Sequence, residues 1–230
     1  MMNRNDQARR SMLSVIGAAF AAFSLRPQSA HAQSENASRI FQPARHPEDE
    51  WMDTVPGKHR SVIDCAAAGA AGTGVFYANN IFTANRNGYQ LTDADVAVIV
   101  VLRHEATTFA YNDAMWAKYG SVLSGLGKIT DPRTNQPPSV NPLNSREFGP
   151  AMTNNGVTAS ALSGRGAHFA ICGMATNRIA GVIASAVKST QPEIYKELAA
   201  NLLPNGHIVA AGVVAVNRAQ ERGYTMLSAG

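Results

Sequence analysis

The chain has 230 residues, with 20 Lys and Arg against 16 Asp and Glu. Four of the basic residues and one acidic residue fall in the first 32 positions, so the rest of the chain is nearly neutral, with 16 basic and 15 acidic residues. This balance excludes the basic surface that proteins binding nucleic acid or anionic membranes carry. Two cysteines without a C-x-x-C motif exclude an all-cysteine zinc site, a thioredoxin-type redox site and covalently attached c-type haem.

The first 32 residues have the pattern of an export signal. The pair Arg9-Arg10 precedes a moderately apolar run, Met12–Leu25, and Ala30-His31-Ala32 matches a signal-peptidase site. These features predict a twin-arginine (Tat) signal peptide over residues 1–32, a mature start at Gln33 and a periplasmic location. A permanent membrane anchor is the alternative. It is disfavoured because a span needs about 20 apolar residues, so we expect no membrane attachment after cleavage.

The segment that follows, residues 33–57, is polar and contains several prolines. We predict an extended lead-in here, with Trp51 as a candidate for packing on the domain surface. The folded domain is predicted over residues 58–230. It begins with a short buried strand at Arg60–Ala66, a turn containing several glycines and a helix that ends near Gly88.

A second strand is the clearest in the chain. Its residues, Asp95–Leu102, are apolar without interruption after the first, as expected when both faces of a parallel sheet are covered. A helix is predicted over Thr107–Tyr119. The next stretch, about 120–149, is long and contains several prolines, which predicts an insertion that crosses the surface. A helix over Asn154–Ser163 then leads into a third strand, Ala167–Cys172.

The rest of the chain continues to alternate between strands and helices. The predicted elements are helices at Asn177–Val187, Pro192–Asn201 and Val213–Arg222, and strands at His207–Ala211 and Tyr224–Leu227. Such alternation predicts a single α/β domain: a flavodoxin-like, doubly wound, five-stranded parallel sheet with helices on both faces. We expect the strand order 2-1-3-4-5, in which the first and third strands are neighbours.

Residues with chemical capability follow several of these strands. Cys65 ends the first strand, Arg103-His104 follows the second, and Cys172-Gly173 stands where the third strand meets its helix. Parallel strands end at one edge, so these side chains are expected to converge on one rim. The start of a helix favours negative charge, which pushes a thiol there towards its reactive thiolate. Cys172 is therefore the candidate reactive residue.

Each candidate also has a simpler interpretation. Cys172 could be a small buried core residue. Cys65 could be a resolving cysteine for Cys172 or form a structural disulfide with it, or it could be a core residue that only packs. His104 could be a general base or metal ligand facing the crevice, or a hydrogen-bonded structural residue. The glycines after the first strand form neither a dinucleotide-binding fingerprint nor a P-loop, and we predict neither a cofactor nor a metal site.

Two stretches resemble a known family. They are Ile171-Cys-Gly-Met-Ala-Thr-Asn-Arg-Ile-Ala-Gly181 and Ile208–Tyr224, which contains Ala211-Gly-Val-Val214 and Gln220-Glu-Arg-Gly-Tyr224. This pattern resembles the closing motif "aGVvxlxxxQxxGY" of the DsrE/DsrF-like family. The similarity covers roughly Lys58–Leu227. The lead-in and the 120–149 insertion have no counterpart in compact members of that family.

The resemblance implies a flavodoxin-like sandwich that assembles as a homo-trimer or homo-hexamer. In the sulfur-relay members, a cysteine after the third strand carries persulfide sulfur between partner proteins, and Cys172 falls at that position. Sulfur-carrying relatives have two arginines after this cysteine, where this chain has only Arg178. We therefore expect an exported sulfane-sulfur carrier that exchanges sulfur with a donor or acceptor protein. The alternative is a non-catalytic homo-oligomeric small-ligand-binding or scaffold protein of the periplasm.

Overall fold

The computed structural model describes residues 42–146 and 148–229. The predicted signal peptide and the first part of the lead-in, up to residue 41, lie outside the described residues. The α/β unit begins at Ala44. None of the helices in the described ranges is long and apolar enough to cross a membrane.

Five parallel strands form one sheet. They are β1 (His59–Cys65), β2 (Val96–Leu102), β3 (His168–Cys172), β4 (Gly206–Val209) and β5 (Thr225–Ser228), in the order β4-β3-β2-β1-β5. The prediction of a five-stranded parallel sheet is confirmed, but the predicted order 2-1-3-4-5 is wrong. From β1 to β4, each strand is added next to the previous one on the same side of the sheet. β5 instead pairs with the other edge of β1. This order puts β2, whose seven residues are all buried, at the centre of the sheet, where the predicted order would have made it an edge strand.

Helices cover both faces of the sheet, as predicted. They are α1 (Trp51–Thr54), α2 (Ala68–Tyr89), α3 (Asp113–Gly127), α4 (Ala159–Gly164), α5 (Gly173–Val187), α6 (Gln191–Ala200) and α7 (Gly212–Gln220). Right-handed crossovers in one direction place α2–α6 on one face, and the return crossover places α7 on the other, beside α1. Alternate residues of β2 enter the two cores: Val100 packs with the first group and Val101 with the second. We call the second side the α7 face.

The helix predicted over Thr107–Tyr119 is displaced towards the C-terminus. Residues His104–Ala110 form 3-10 turns, and α3 begins at Asp113 because the side-chain oxygen of Asn112 accepts a hydrogen bond from Met115 N (3.2 Å). This is the capping geometry expected of asparagine. Because α3 continues to Gly127, the irregular segment starts about eight residues later than predicted.

From residue 42, where the structure describes it, the lead-in is only partly extended. Residues 44–58, which we call the strap, contain a 3-10 turn at Pro47–Asp49 and the short helix α1. Met52 and Val55 are buried in the core of the α7 face. Tyr224 Oη donates to Met52 O (2.7 Å), and the buried guanidinium of Arg222 donates from Nε to Asp53 Oδ2 (3.1 Å). The strap is therefore an integral part of this face.

Three aromatic rings stack where the strap crosses β3 and β4. The Trp51 ring lies parallel to the His207 ring, with 3.9 Å between centroids, and His207 Nε2 is 3.0 Å from His168 Nδ1. Burial lowers the pKa of His168. Burial, together with the neighbouring charge of His168, lowers the pKa of His207 to about 4. The stack is therefore built from neutral histidines.

Acidification is expected to destabilise the protein through this stack. The unfolded chain takes up protons near pH 6.5, but the folded state does so only at lower pH, so the stability of the neutral pair is lost as pH falls from about 6.5 towards 4. The loss is at most about 1.4 kcal/mol per pH unit for each histidine, and less because both are only half-buried. Urea unfolding of the wild type and His207→Phe at pH 7.5, 5.5 and 4.5 measures it. His46→Gln, at an exposed histidine, is the control; equal pH dependence in all three proteins would contradict the prediction.

Candidate functional site

A cavity of about 900 Å³ lies beside the C-terminal ends of β3 and β4. Its walls come from the starts of α5 and α7, from α6, from the end of β4 and from the strap. Ligands of parallel α/β sheets commonly bind at this edge, outside the C-terminal ends of the strands. The cavity is therefore the natural starting point for locating function.

Cys172 lies immediately behind the wall of this cavity. It is the last residue of β3 and the N-cap of α5, and its 7% exposure leaves the thiol almost covered. The thiol packs with Ala175 and Ala211. The cavity is lined by the next residue, Gly173, and by Ala211, but not by Cys172 itself. Gly173 is needed there because a Cβ would stand 2.8 Å from Val209 O, so only glycine lets α5 start this close to β4.

On its other side, Cys172 is next to an ion pair. Three polar or reactive residues on adjacent strands share the α7 face. By strand alternation, these are Asp64 in β1, Arg103 directly after β2 and Cys172 at the end of β3. The pairing of Leu102 with Ile171 places Arg103 level with Cys172. Arg103 donates from Nε to Asp64 Oδ1 (2.7 Å) and from Nη2 to Asp64 Oδ2 (2.8 Å). These hydrogen bonds raise the pKa of the Arg103 guanidinium.

The start of α7 packs against the side chain of Arg103 at Gly212. A Cβ on Gly212, the first residue of α7, would stand 2.4 Å from Arg103 Cβ. The side chain of Arg103 therefore lies directly against the start of α7 and close to Ala211, which also touches Cys172. The thiol thus lies between a wall of the cavity and the strand position of Arg103, whose guanidinium is held by Asp64 on the β1 side.

Cys65 does not join this rim, contrary to the prediction. It lies on the other face of the sheet, where a Cβ on Gly74 of α2 would stand 2.3 Å from its sulfur. Burial raises the pKa of the Cys65 thiol, and the thiol is free. A disulfide with Cys172 does not form: β2 separates their strands, which puts the backbones about 10 Å apart, whereas a bridge needs about 4.4–6.8 Å between Cα atoms. Cys65 is a core residue.

His104 and Arg178 lie at the surface and do not line the cavity. His104 begins the 3-10 turns after β2 with a φ of 54°, in the left-handed region, and its side chain is exposed. Arg178 is exposed on the second turn of α5. Of the six residues predicted for the rim, the structure brings together Cys172, Gly173 and Arg103. Among the described residues, no group of three or more His, Cys, Asp or Glu side chains could hold a metal ion.

Sequence reasoning missed two parts of the site. One is Asp64, although a single acidic residue in the otherwise apolar run Val62-Ile-Asp-Cys65 was a usable signal. The other is the strap, from which His46, Glu48 and Asp49 line the cavity. No local pattern connects these residues with Gly173, more than a hundred positions away. Comparisons of the chain with protein-family models, with curated proteins and with solved structures found no match.

Proposed function

We propose that this chain is an exported DsrE-like protein that carries sulfane sulfur on Cys172. The observation that supports the proposal most directly is the position of the thiol. Cys172 ends an inner strand of the sheet at the start of a 15-residue helix, beside the 900 Å³ cavity and level with Arg103. Thiol reactivity is favoured where a helix begins and where a cationic side chain is near.

The proposed reaction is a simple transfer of sulfur. Cys172, as the thiolate, attacks the outer sulfur of a donor such as thiosulfate, and its proton goes to solvent. A bond forms between Cys172 Sγ and that sulfur, the S–S bond of the donor breaks, and sulfite leaves with the electron pair. Arg103, 28% exposed, can offer to an anionic donor the guanidinium N–H groups that Asp64 does not accept. The resulting persulfide is then available to an acceptor protein.

Mass spectrometry of the exported protein tests this proposal. We expect the chain recovered from the periplasm to begin at Gln33 and, under native conditions, to give a trimer or hexamer. Treatment with thiosulfate or polysulfide is expected to add about 32 Da, the mass of one sulfur atom, on the peptide that contains Cys172. Cys172→Ser should lose the adduct, and Cys65→Ser should keep it. An unmodified Cys172 in the folded protein would rule out the carrier function.

A second candidate is a non-catalytic homo-oligomeric protein of the periplasm that binds a small ligand or acts as a scaffold. The near-complete burial of Cys172 favours it, because the cavity is lined by other residues. Exposed apolar side chains at the starts of α5 and α7, such as Met174 (71% exposed) and Val213 (56% exposed), favour self-association. Titration of the native protein with a disulfide reagent separates the two candidates: one fast thiol supports the carrier, and two inert thiols support the binding protein.

A further inference from the structure

The cavity beside β3 and β4 differs in character from one end to the other. The wall formed by α5, α6, β4 and α7 is mostly apolar, with Met174, Pro192, Tyr195, Ile208 and Val214, and includes one amide, Asn177. The strap contributes His46, Glu48 and Asp49 to the lining, and Asp49 lies next to Arg218 of α7. A largely apolar pocket of this size with a few polar groups at one end is typical of sites for small organic molecules.

The polar end carries an excess of negative charge. Among the described residues that line the cavity, Arg218 is the one Lys or Arg, and its charge is already compensated. Arg218 Nη1 donates to both carboxylate oxygens of Glu221, at 3.0 and 2.7 Å, and Arg218 Nε lies 3.9 Å from Asp49 Oδ2. Glu48 makes no ion pair or side-chain hydrogen bond with any described residue. The carboxylates of Glu48 and Asp49 are therefore not balanced by a matching number of cations.

We propose that this cavity binds a small amphipathic organic cation. The apolar body of the ligand packs against the wall from α5, α6, β4 and α7, and its ammonium group lies beside Glu48 and Asp49. Tyr195 contributes an aromatic ring, which attracts a cation as well as an apolar group. This site uses neither the Cys172 thiol nor sulfur chemistry, so it goes beyond the proposed carrier function.

The expected charge of the ligand follows from comparing the helix dipoles at the starts of α5 and α7 with the carboxylates of Glu48 and Asp49. The starts of α5 and α7 border the cavity, and their dipoles favour an anion. Each dipole amounts to about half an elementary charge and acts only within the first turn. Glu48 and Asp49 carry full charges, and a cation between them can keep its body on the apolar wall. An anion is favoured only within the first turn of α5, where Cys172 lies, or of α7, and not at the strap side of the cavity.

Three matched probes test the charge preference directly: 2-phenylethylamine, 2-phenylethanol and 3-phenylpropionate, which share one apolar body. Isothermal titration of the full mature protein is expected to show the amine binding at least about tenfold more tightly than the carboxylate, with the alcohol between them. Higher salt should weaken binding of the amine and leave binding of the alcohol unchanged. Carboxylate binding as tight as that of the amine, or no binding by any of the three, would overturn the proposal.

Variants of the strap test the location. Glu48→Gln is expected to weaken amine binding by about threefold, whereas Glu50→Gln, an exposed glutamate of the same strap that does not line the cavity, should leave it unchanged. Val214→Trp, at a partly exposed lining residue, should abolish binding of amine and alcohol alike. Equal weakening by the two glutamine variants, or unchanged binding in Val214→Trp, would contradict the site. Cys172→Ser should bind the amine as tightly as the wild type. Amine binding therefore tests this site independently of whether Cys172 carries sulfur.

Discussion

Replacing Gly74 by alanine is expected to lower the free energy of unfolding by about 2–3 kcal/mol. The added Cβ would stand 2.3 Å from the sulfur of Cys65, which is fully buried between β1 and α2. Alanine is the better helix former by about 1 kcal/mol, so the loss measured is what remains after that gain. Urea unfolding of Gly74→Ala measures it. Gly88→Ala is the control, because a Cβ at that position of the same helix meets no described atom within 4 Å apart from its chain neighbours and the nearby backbone of the helix.

The second half of this prediction is a rescue. In a Cys65→Ala background the sulfur is gone, and the nearest remaining atoms, on Ile63 and Val100, lie 3.5 Å from the new Cβ, an ordinary contact. The double variant Cys65→Ala/Gly74→Ala is therefore expected to come within about 1 kcal/mol of the wild type, because one buried atom replaces another. If the double variant loses as much as the two single variants combined, the sulfur does not occupy the space beneath Gly74.

The fold class follows from patterns that are local in the sequence, whereas the strand order depends on contacts that are not. The continuous apolar run of β2 identifies a buried strand, and the alternation of strands with helices identifies a parallel sheet. Neither pattern says where the chain reverses direction across the sheet. The uninterrupted apolar run of β2 argues against the predicted order, in which β2 lies at an edge, because an edge strand would expose part of Val96–Leu102. The predicted start of α3 is wrong because the buried residues before Asn112 belong to 3-10 turns, and the cap at Asn112 sets the beginning of the helix.

The sequence predicts the site residues that lie at the ends of strands, but not those that the strap contributes. The rule that parallel strands end at one edge correctly brought Arg103 and Cys172 together. It misplaced Cys65 because alternation along β1 sends that side chain to the opposite face. The cavity wall formed by Glu48 depends on tertiary contacts of the strap, such as Met52 in the core of the α7 face. These contacts leave no periodic pattern in the sequence.

Replacing Arg103 by methionine is expected to lower the free energy of unfolding by about 2–3 kcal/mol, because the mostly buried carboxylate of Asp64 then has no cationic partner. The control is Arg86→Met, which removes an ion pair with Asp93 of similar length, 2.8 Å, but with an arginine that is 57% exposed. Exposed pairs contribute about 0–1 kcal/mol, so this variant should stay close to the wild type in urea unfolding. Equal losses in the two variants would contradict a special contribution of the pair near Cys172.

The double variant Asp64→Leu/Arg103→Met separates the structural from the chemical contribution of this pair. Replacing both partners by apolar side chains removes the unpaired charge, so most of the stability lost in Arg103→Met should return. The guanidinium level with Cys172 does not return with it. If Arg103 attracts an anionic sulfur donor, the double variant should fold normally yet take up sulfur from thiosulfate at least about tenfold more slowly than the wild type. Recovery of stability and uptake together would show that Arg103 serves only to neutralise Asp64.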